Sequence, residues 1–257
     1  MHIGALIIGD ELLSGKRQDK HQTFLIGALA RRGMQLSWVR VVGDDEELLV
    51  RTFRETLSAG DAVFSFGGIG ATPDDLTRPC LARAAGVELV YHPEAVALIE
   101  QRFGESAYPN RIRMAELPLG SALIPNPVNQ VPGFSLRGHH FVPGFPNMAW
   151  PMVEWVLDTH YAHLSSSVAR IERLLVLHGT AESDIIPLME ALLELFPDVR
   201  LSSLPSSRNR QEIELGVRGV EGRVVDALQW LERELSMRQV RWAHREVSGD
   251  STTCPPS

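Results

Sequence analysis

Cysteine is nearly absent from this chain of 257 residues. Cys80 and Cys254 are the only two, far apart and outside any CxxC spacing. That speaks against a disulfide framework or a zinc site, and it fits a reducing, cytoplasmic setting. Basic residues are also in short supply: 25 Lys and Arg face 32 Asp and Glu, for a net charge of -7. With no basic stripe either, neither nucleic acid nor a membrane surface is an expected partner. No apolar run approaches the ~20 residues that cross a bilayer. The opening "MHIGALIIGDEL" has no basic leader and meets Asp10 and Glu11 at once, so it reads as a buried strand, not a signal peptide. Internal repeats and low-complexity tracts are missing as well.

What is present is an ordinary globular composition, 44% hydrophobic and 22% charged, able to bury a sizeable core. Ile3 to Ile8 is a continuous apolar run, the mark of a strand covered on both faces. "HQTFLIGALARRG" then reads as a helix ending at Gly33, and "LSWVRVV" as a second strand. "DEELLVRTFRETLSAG" follows as an amphipathic helix with acids in its first turn, and "DAVFSF" as a third strand. Helices follow at "RPCLARAAG" and "PEAVALIEQRFG". This βαβ rhythm predicts an α/β fold, a three-layer α/β/α arrangement around a mostly parallel sheet, over residues 1–164. Prolines crowd Pro109 to Pro151 and break the rhythm, leaving strand fragments at Val131–Leu136 and His140–Val142 and a helix over "MAWPMVEWVLDTHYAHL". Ser165–Ser167 is a candidate linker. Residues 168–240 read as a smaller α+β domain of β-α-β-β-α order, and 241–257 as a disordered tail.

Each of the first three strands ends in an acidic loop. These carry Asp10 and Glu11, then Asp44 and Asp45, then Asp74 and Asp75. In an open parallel sheet such loops share one edge, where ligands bind. Asp44, Asp45 and Glu46 could equally cap the next helix. The third loop, "SFGGIGATPDDLTRP", combines Gly67, Gly68 and Gly70 with paired carboxylates. A helix begun at Pro73 would place Pro79 in its interior, so the expected start is near Thr77, with both aspartates in the loop. Exposed amides attract phosphate and carboxylates attract Mg²⁺, which usually binds through one or two carboxylates plus substrate phosphates. A metal-bridged phosphate ester or pyrophosphate satisfies both.

"GDELLSG", "GDDEE", "GGIGATPDDLT", "NPVNQVPGF" and "VPGFP" together resemble the molybdopterin-binding (MoaB/Mog-type) domain family, in the variant that opens competence/damage-inducible protein A (CinA). The resemblance implies a three-layer α/β domain that often forms trimers or dimers. It would bind molybdopterin, transfer an adenylyl group to it, or hydrolyse ADP-ribose with a divalent metal. It places Asp44 and Asp75 around metal and phosphate; in the expected reaction Asp10 or Asp74 assists or acts as base. Gly67, Gly68, Gly70 and Thr72 match the phosphate loop, with Thr77 beyond it. Glu11 and Ser14 belong to the first loop, and Pro143, Gly144 and Pro146 to a turn closing the pocket. The family's deamidase domain, and hence deamidase activity, is not expected. The expected activity is metal-dependent hydrolysis or transfer at a pyrophosphate; the rival is a non-catalytic molybdopterin-binding or oligomeric interaction protein.

Other residues read more simply. His21 stands where the family has asparagine and is expected to cap the first helix. His139 and His140 lack a third metal ligand. Glu182 and Asp184, after His178, suit a helix start. Arg208 and Arg210 suit a solvated hairpin tip. Trp150, Trp155 and Trp230 suit packing, and Cys80 has no base nearby in sequence.

Overall fold

The computed structural model describes residues 2–164, 170–206 and 212–245. The chain divides into two compact units, Met1–Ser165 and Ser166–Ser257. The first opens with β1 (Ile3–Ile8), a single turn α1 (Asp10–Leu13), α2 (His21–Ala30), β2 (Trp38–Val42), α3 (Glu46–Ala59) and β3 (Ala62–Phe66). It continues through α4 (Thr77–Ala85), β4 (Leu89–Tyr91), α5 (Pro93–Phe103), β5 (Glu116–Pro118), β6 (Ala122–Ile124), β7 (Gly133–Leu136), β8 (His139–Val142) and α6 (Pro146–His160). The main sheet has the order β2-β1-β3-β8-β7-β6. β1, β2, β3 and β8 run parallel, while β7 is antiparallel to both neighbours.

All six residues of β1 are buried, because the strand lies inside the sheet with a helical layer on each side. Its alternate side chains feed opposite layers. Leu6 and Ile8 join Leu49 and Phe53 of α3, whereas Ala5 and Ile7 join Leu25 of α2 and Val153 of α6. Each such side chain contributes roughly 1.5–3 kcal/mol when fully buried. α4 starts at Thr77, as expected from Pro79, and ends at Gly86 in the left-handed region. The short ribbon of β4 with β5 and the strand β6 were not anticipated; each strand is only three residues long. α6 carries Pro146 in its first turn and tolerates Pro151 inside. Among the described residues no helix is long and apolar enough to cross a membrane.

The second unit consists of β9 (Arg170–His178), α7 (Glu182–Leu195), β10 (Arg200–Pro205), β11 (Glu212–Val220), α8 (Glu221–Met237) and β12 (Arg241–Arg245). Its antiparallel sheet runs β10-β11-β9-β12, over a core that includes Leu175, Leu188, Leu192, Leu215 and Leu231. The expected β-α-β-β-α order holds, with one correction. Residues 241–245, read as the start of a disordered tail, form β12, which pairs with β9 from Arg241 opposite His178 to Arg245 opposite Leu174. Four of its five residues are exposed, so the strand carries no apolar pattern and is held by its backbone ladder. Ser165–Ser167, Arg208, Arg210, Cys254 and residues 246–257 lie outside the described residues.

Candidate functional site

The loops after β1 and β2 are tied by a reciprocal clamp. The Asp10 amide donates to Asp44 Oδ2 at 3.0 Å, and the Asp44 amide donates to Asp10 Oδ1 at 3.1 Å. A Cβ at Gly43 would lie 2.5 Å from Asp10 Oδ1, so a larger residue there would push the Asp10 carboxylate out of the clamp. Asp45, next in sequence, is the N-cap of α3 and accepts from the Leu48 amide at 2.7 Å. The capping reading therefore suits Asp45, and Asp44 turns the other way. Burial holds the Asp44 carboxyl above the usual carboxylate range; Asp10, Glu11 and Asp74 add to this, and the hydrogen bond from Asp10 opposes it.

The loop after β3 is folded by its own side chains. Asp75 Oδ1 accepts from the Gly70 amide at 2.8 Å, and Oδ2 accepts from the Thr72 amide at 2.8 Å and from the Thr72 hydroxyl. Thr72 also holds the exposed Asp74 carboxyl below its ordinary range. Thr77 is fully buried; its hydroxyl donates to the Gly67 carbonyl at 3.0 Å and its amide to Gly68 at 3.1 Å. Gly68 has φ +68°, and a Cβ there would overlap Thr77 Oγ1. Arg78, also buried, donates to the carbonyls of Gly70, Arg113 and Glu116, fastening the loop to the proline-rich segment. Burial lowers its proton affinity, and Asp75 opposes that. The amides of Gly68, Ile69 and Ala71 have no hydrogen-bond partner among the described residues.

These loops form one side of a pocket of about 510 Å³. Asp44, Glu11, Gly68 and Asp75 line it, together with Arg17, its only Lys or Arg. The rest of the wall includes Asn126, Asn129, Pro143, Phe145 and Met148. The buried Asn126 donates to Asn129 Oδ1 at 2.7 Å and to the Val131 carbonyl, and Asn129 Nδ2 lies 3.1 Å from Met148 Sδ, which fixes the shape of that wall. A second lobe of about 430 Å³ shares Ile8, Glu11, Arg17, Gly144 and Phe145 with the first. Among the described residues, no three His, Cys, Asp or Glu side chains converge as a metal site.

The model of the family "Probable molybdopterin binding domain" matches residues 4–163, which contain this whole pocket. The chain belongs to the molybdopterin-binding domain family. A protein of Pyrobaculum aerophilum is 33% identical over 78% of this chain and 78% of its own length. A CinA-like protein of Geobacter sp. is 37% identical over 75% of this chain and 48% of its own length. The chain thus spans about half of that relative. The crystal structure of the protein CinA, with unknown function, from Thermoplasma acidophilum is 29% identical; the match covers 62% of this chain and 98% of that one, with a TM-score of 0.56.

Of the expected site residues in this molybdopterin-binding domain, the pocket gathers Glu11, Asp44, Gly67, Gly68, Gly70, Thr72, Asp74, Asp75, Pro143 and Gly144. Asp10, Ser14 and Thr77 do not line it. Asp10 is spent on the clamp and Thr77 is sealed beneath the loop; Ser14 is the exposed end of α1, its amide donating to Asp10. His21 is not the cap of α2, because Asp19 accepts from the amides of His21 and Gln22 at 2.9 Å. His21 instead stacks on Phe66 and lies 3.1 Å from the Gly144 carbonyl through Nε2, bracing the turn. His139 and His140 are buried and engaged by Thr56, Ser135 and Tyr161. Trp150 stacks on Phe24, burial raises the Cys80 thiol to about 11, and neither lines the pocket. Arg17 and Arg78 were not anticipated. A buried arginine bonded to three carbonyls leaves no mark in the sequence, and Arg17 has no motif context.

Proposed function

We propose that the pocket binds a phosphate-bearing ligand together with a divalent cation, and that it cleaves or transfers at a pyrophosphate such as that of ADP-ribose or a molybdopterin nucleotide. The observation that carries this reading is the set of unpaired amides at Gly68, Ile69 and Ala71 in the same pocket as the Asp44 carboxylate. Those amides suit phosphate oxygens and would stabilise negative charge as it develops there. Asp44 fits a cation, since a positive ion would relieve the crowding from Asp10, Glu11 and Asp74. A bound Mg²⁺ would neutralise phosphate charge and lower the pKa of a coordinated water. Its remaining positions would be filled by ligand oxygens and water, consistent with one or two protein carboxylates. Asp75 is the other candidate ligand. With three hydrogen bonds already accepted, its first duty is to hold the amides in place. Arg17 would meet a phosphate at the junction of the two lobes.

The test is a screen of ADP-ribose and related diphosphates with Mg²⁺, Mn²⁺ or Co²⁺, following phosphate-bond cleavage. Metal-dependent product from the wild type and none from Asp44→Asn supports the proposal; undiminished turnover by Asp44→Asn contradicts it. The heavy engagement of Asp75 also favours a second reading, a molybdopterin-binding module without catalysis. That reading expects saturable binding of molybdopterin and no product with any of the three metals.

A further inference from the structure

The second unit contains a cavity of its own, of about 400 Å³, within the range of small-molecule sites. Two arginines and a histidine line it from three elements: His178 at the end of β9, Arg238 just past α8, and Arg241 at the start of β12. His178 and Arg241 are direct partners across the β9–β12 ladder. Gly179, at φ +72°, turns the chain toward α7, and the Arg241 guanidinium lies 3.7 Å from where a Cβ on Gly179 would sit. The amides of Gly179 and Thr180 make no hydrogen bond with any described residue.

The acids nearby are already occupied. Asp184, the one carboxylate in the cavity wall, accepts from the Ala181 amide at 3.3 Å and from the Ser183 hydroxyl. Glu212 lies 3.4 Å from His178, and Glu234 lies 3.8 Å from Arg238. The Arg241 side chain has neither a hydrogen bond nor an ion pair with any described residue. Gln239 holds a left-handed φ of 59°, a conformation unfavourable for a side chain of its size, and it also lines the cavity. An unpaired guanidinium, a second arginine, two open amides and the positive end of a 14-residue helix therefore face one space.

We propose that this cavity is a binding site for the phosphate group of a small phosphomonoester, separate from the pocket of the first unit. The occupant is a small molecule and not a nucleic-acid strand. The basic residues gather at the mouth of one cavity instead of forming a stripe, and no Phe, Tyr or Trp lines it to stack on bases.

The test is a titration of the ¹⁵N-labelled full chain with AMP, with inorganic phosphate, with adenosine as the uncharged control, and with a single-stranded oligonucleotide. The Gly179 and Thr180 amides report on this cavity; those of Gly68, Ile69 and Ala71 report on the other pocket, so the two proposals fail separately. AMP and phosphate should shift the first set while adenosine does not. Arg241→Ala should weaken that binding about tenfold or more, and Arg241→Lys should restore part of it. Unmoved amides at about 10 mM AMP, beyond a millimolar Kd, would overturn the proposal. So would equal shifts with adenosine, saturation by the oligonucleotide where AMP fails, or unchanged affinity in both Arg241→Ala and Arg238→Ala.

Discussion

At Asp44, burial and three neighbouring carboxylates raise the proton affinity of the carboxyl above its value in an unfolded chain. The native state therefore favours the protonated form. The stability this contributes is fully present below the unfolded pKa and is lost as pH rises through the folded one. At neutral pH the ionised group is a net burden, which a bound cation would lift. Asp44→Asn keeps an oxygen for the Asp10 amide and removes the charge. It should raise Tm by about 1–2 °C near pH 7.5, with the gain shrinking as pH falls toward the raised pKa. Thermal melts across pH check this; an unchanged or lowered Tm would speak against it. Gly68 makes the opposite kind of demand. Its left-handed φ and the contact with Thr77 leave no room for a methyl group, so Gly68→Ala should cost roughly 1–3 kcal/mol in urea unfolding and disorder the cradle.

Among the elements, β8 contributes acid sensitivity to the fold through two adjacent buried histidines. His139 and His140 lie in it, buried, with pKa values lowered by burial from 6.5 to about 4 and about 3. Both are neutral in the native state, so their contribution is intact above pH 6.5. As pH falls below that, stability should drop by up to about 1.4 kcal/mol per pH unit for each histidine. Urea titrations from pH 7 to 4.5 check the slope, and His139→Gln should flatten it. How much of the architecture could be read from the residues follows the same division. Apart from β4, the strands and longer helices up to Phe103 were legible because their apolar residues run continuously, as in β1 and β3, or recur along one helical face, as in α3. β4, β5 and β6 are three residues each, too short for periodicity, and β12 has almost no buried face. The acidic loops and glycines of the site were readable because loops after parallel strands share an edge. That Asp10 would clamp Asp44 instead of facing the ligand depends on backbone geometry that composition does not encode.

For the whole molecule, the two apolar cores flanking the main sheet draw only on residues up to Tyr161, while the third belongs entirely to the second unit. A chain ending after Leu164 should therefore fold cooperatively and keep the 510 Å³ pocket with its ligand affinity. Calorimetry and ligand titration of that fragment check this, and an unfolded fragment would show that the cores are not independent. The central claim is that a cation held by Asp44 and a phosphate held by the glycine cradle occupy the pocket together. Calorimetric titration of ADP-ribose into the full chain, with and without Mg²⁺, measures that coupling. Mg²⁺ should tighten wild-type binding about tenfold or more and leave Asp44→Asn unaffected. Binding indifferent to Mg²⁺, or an equal Mg²⁺ effect in Asp44→Asn, would contradict it.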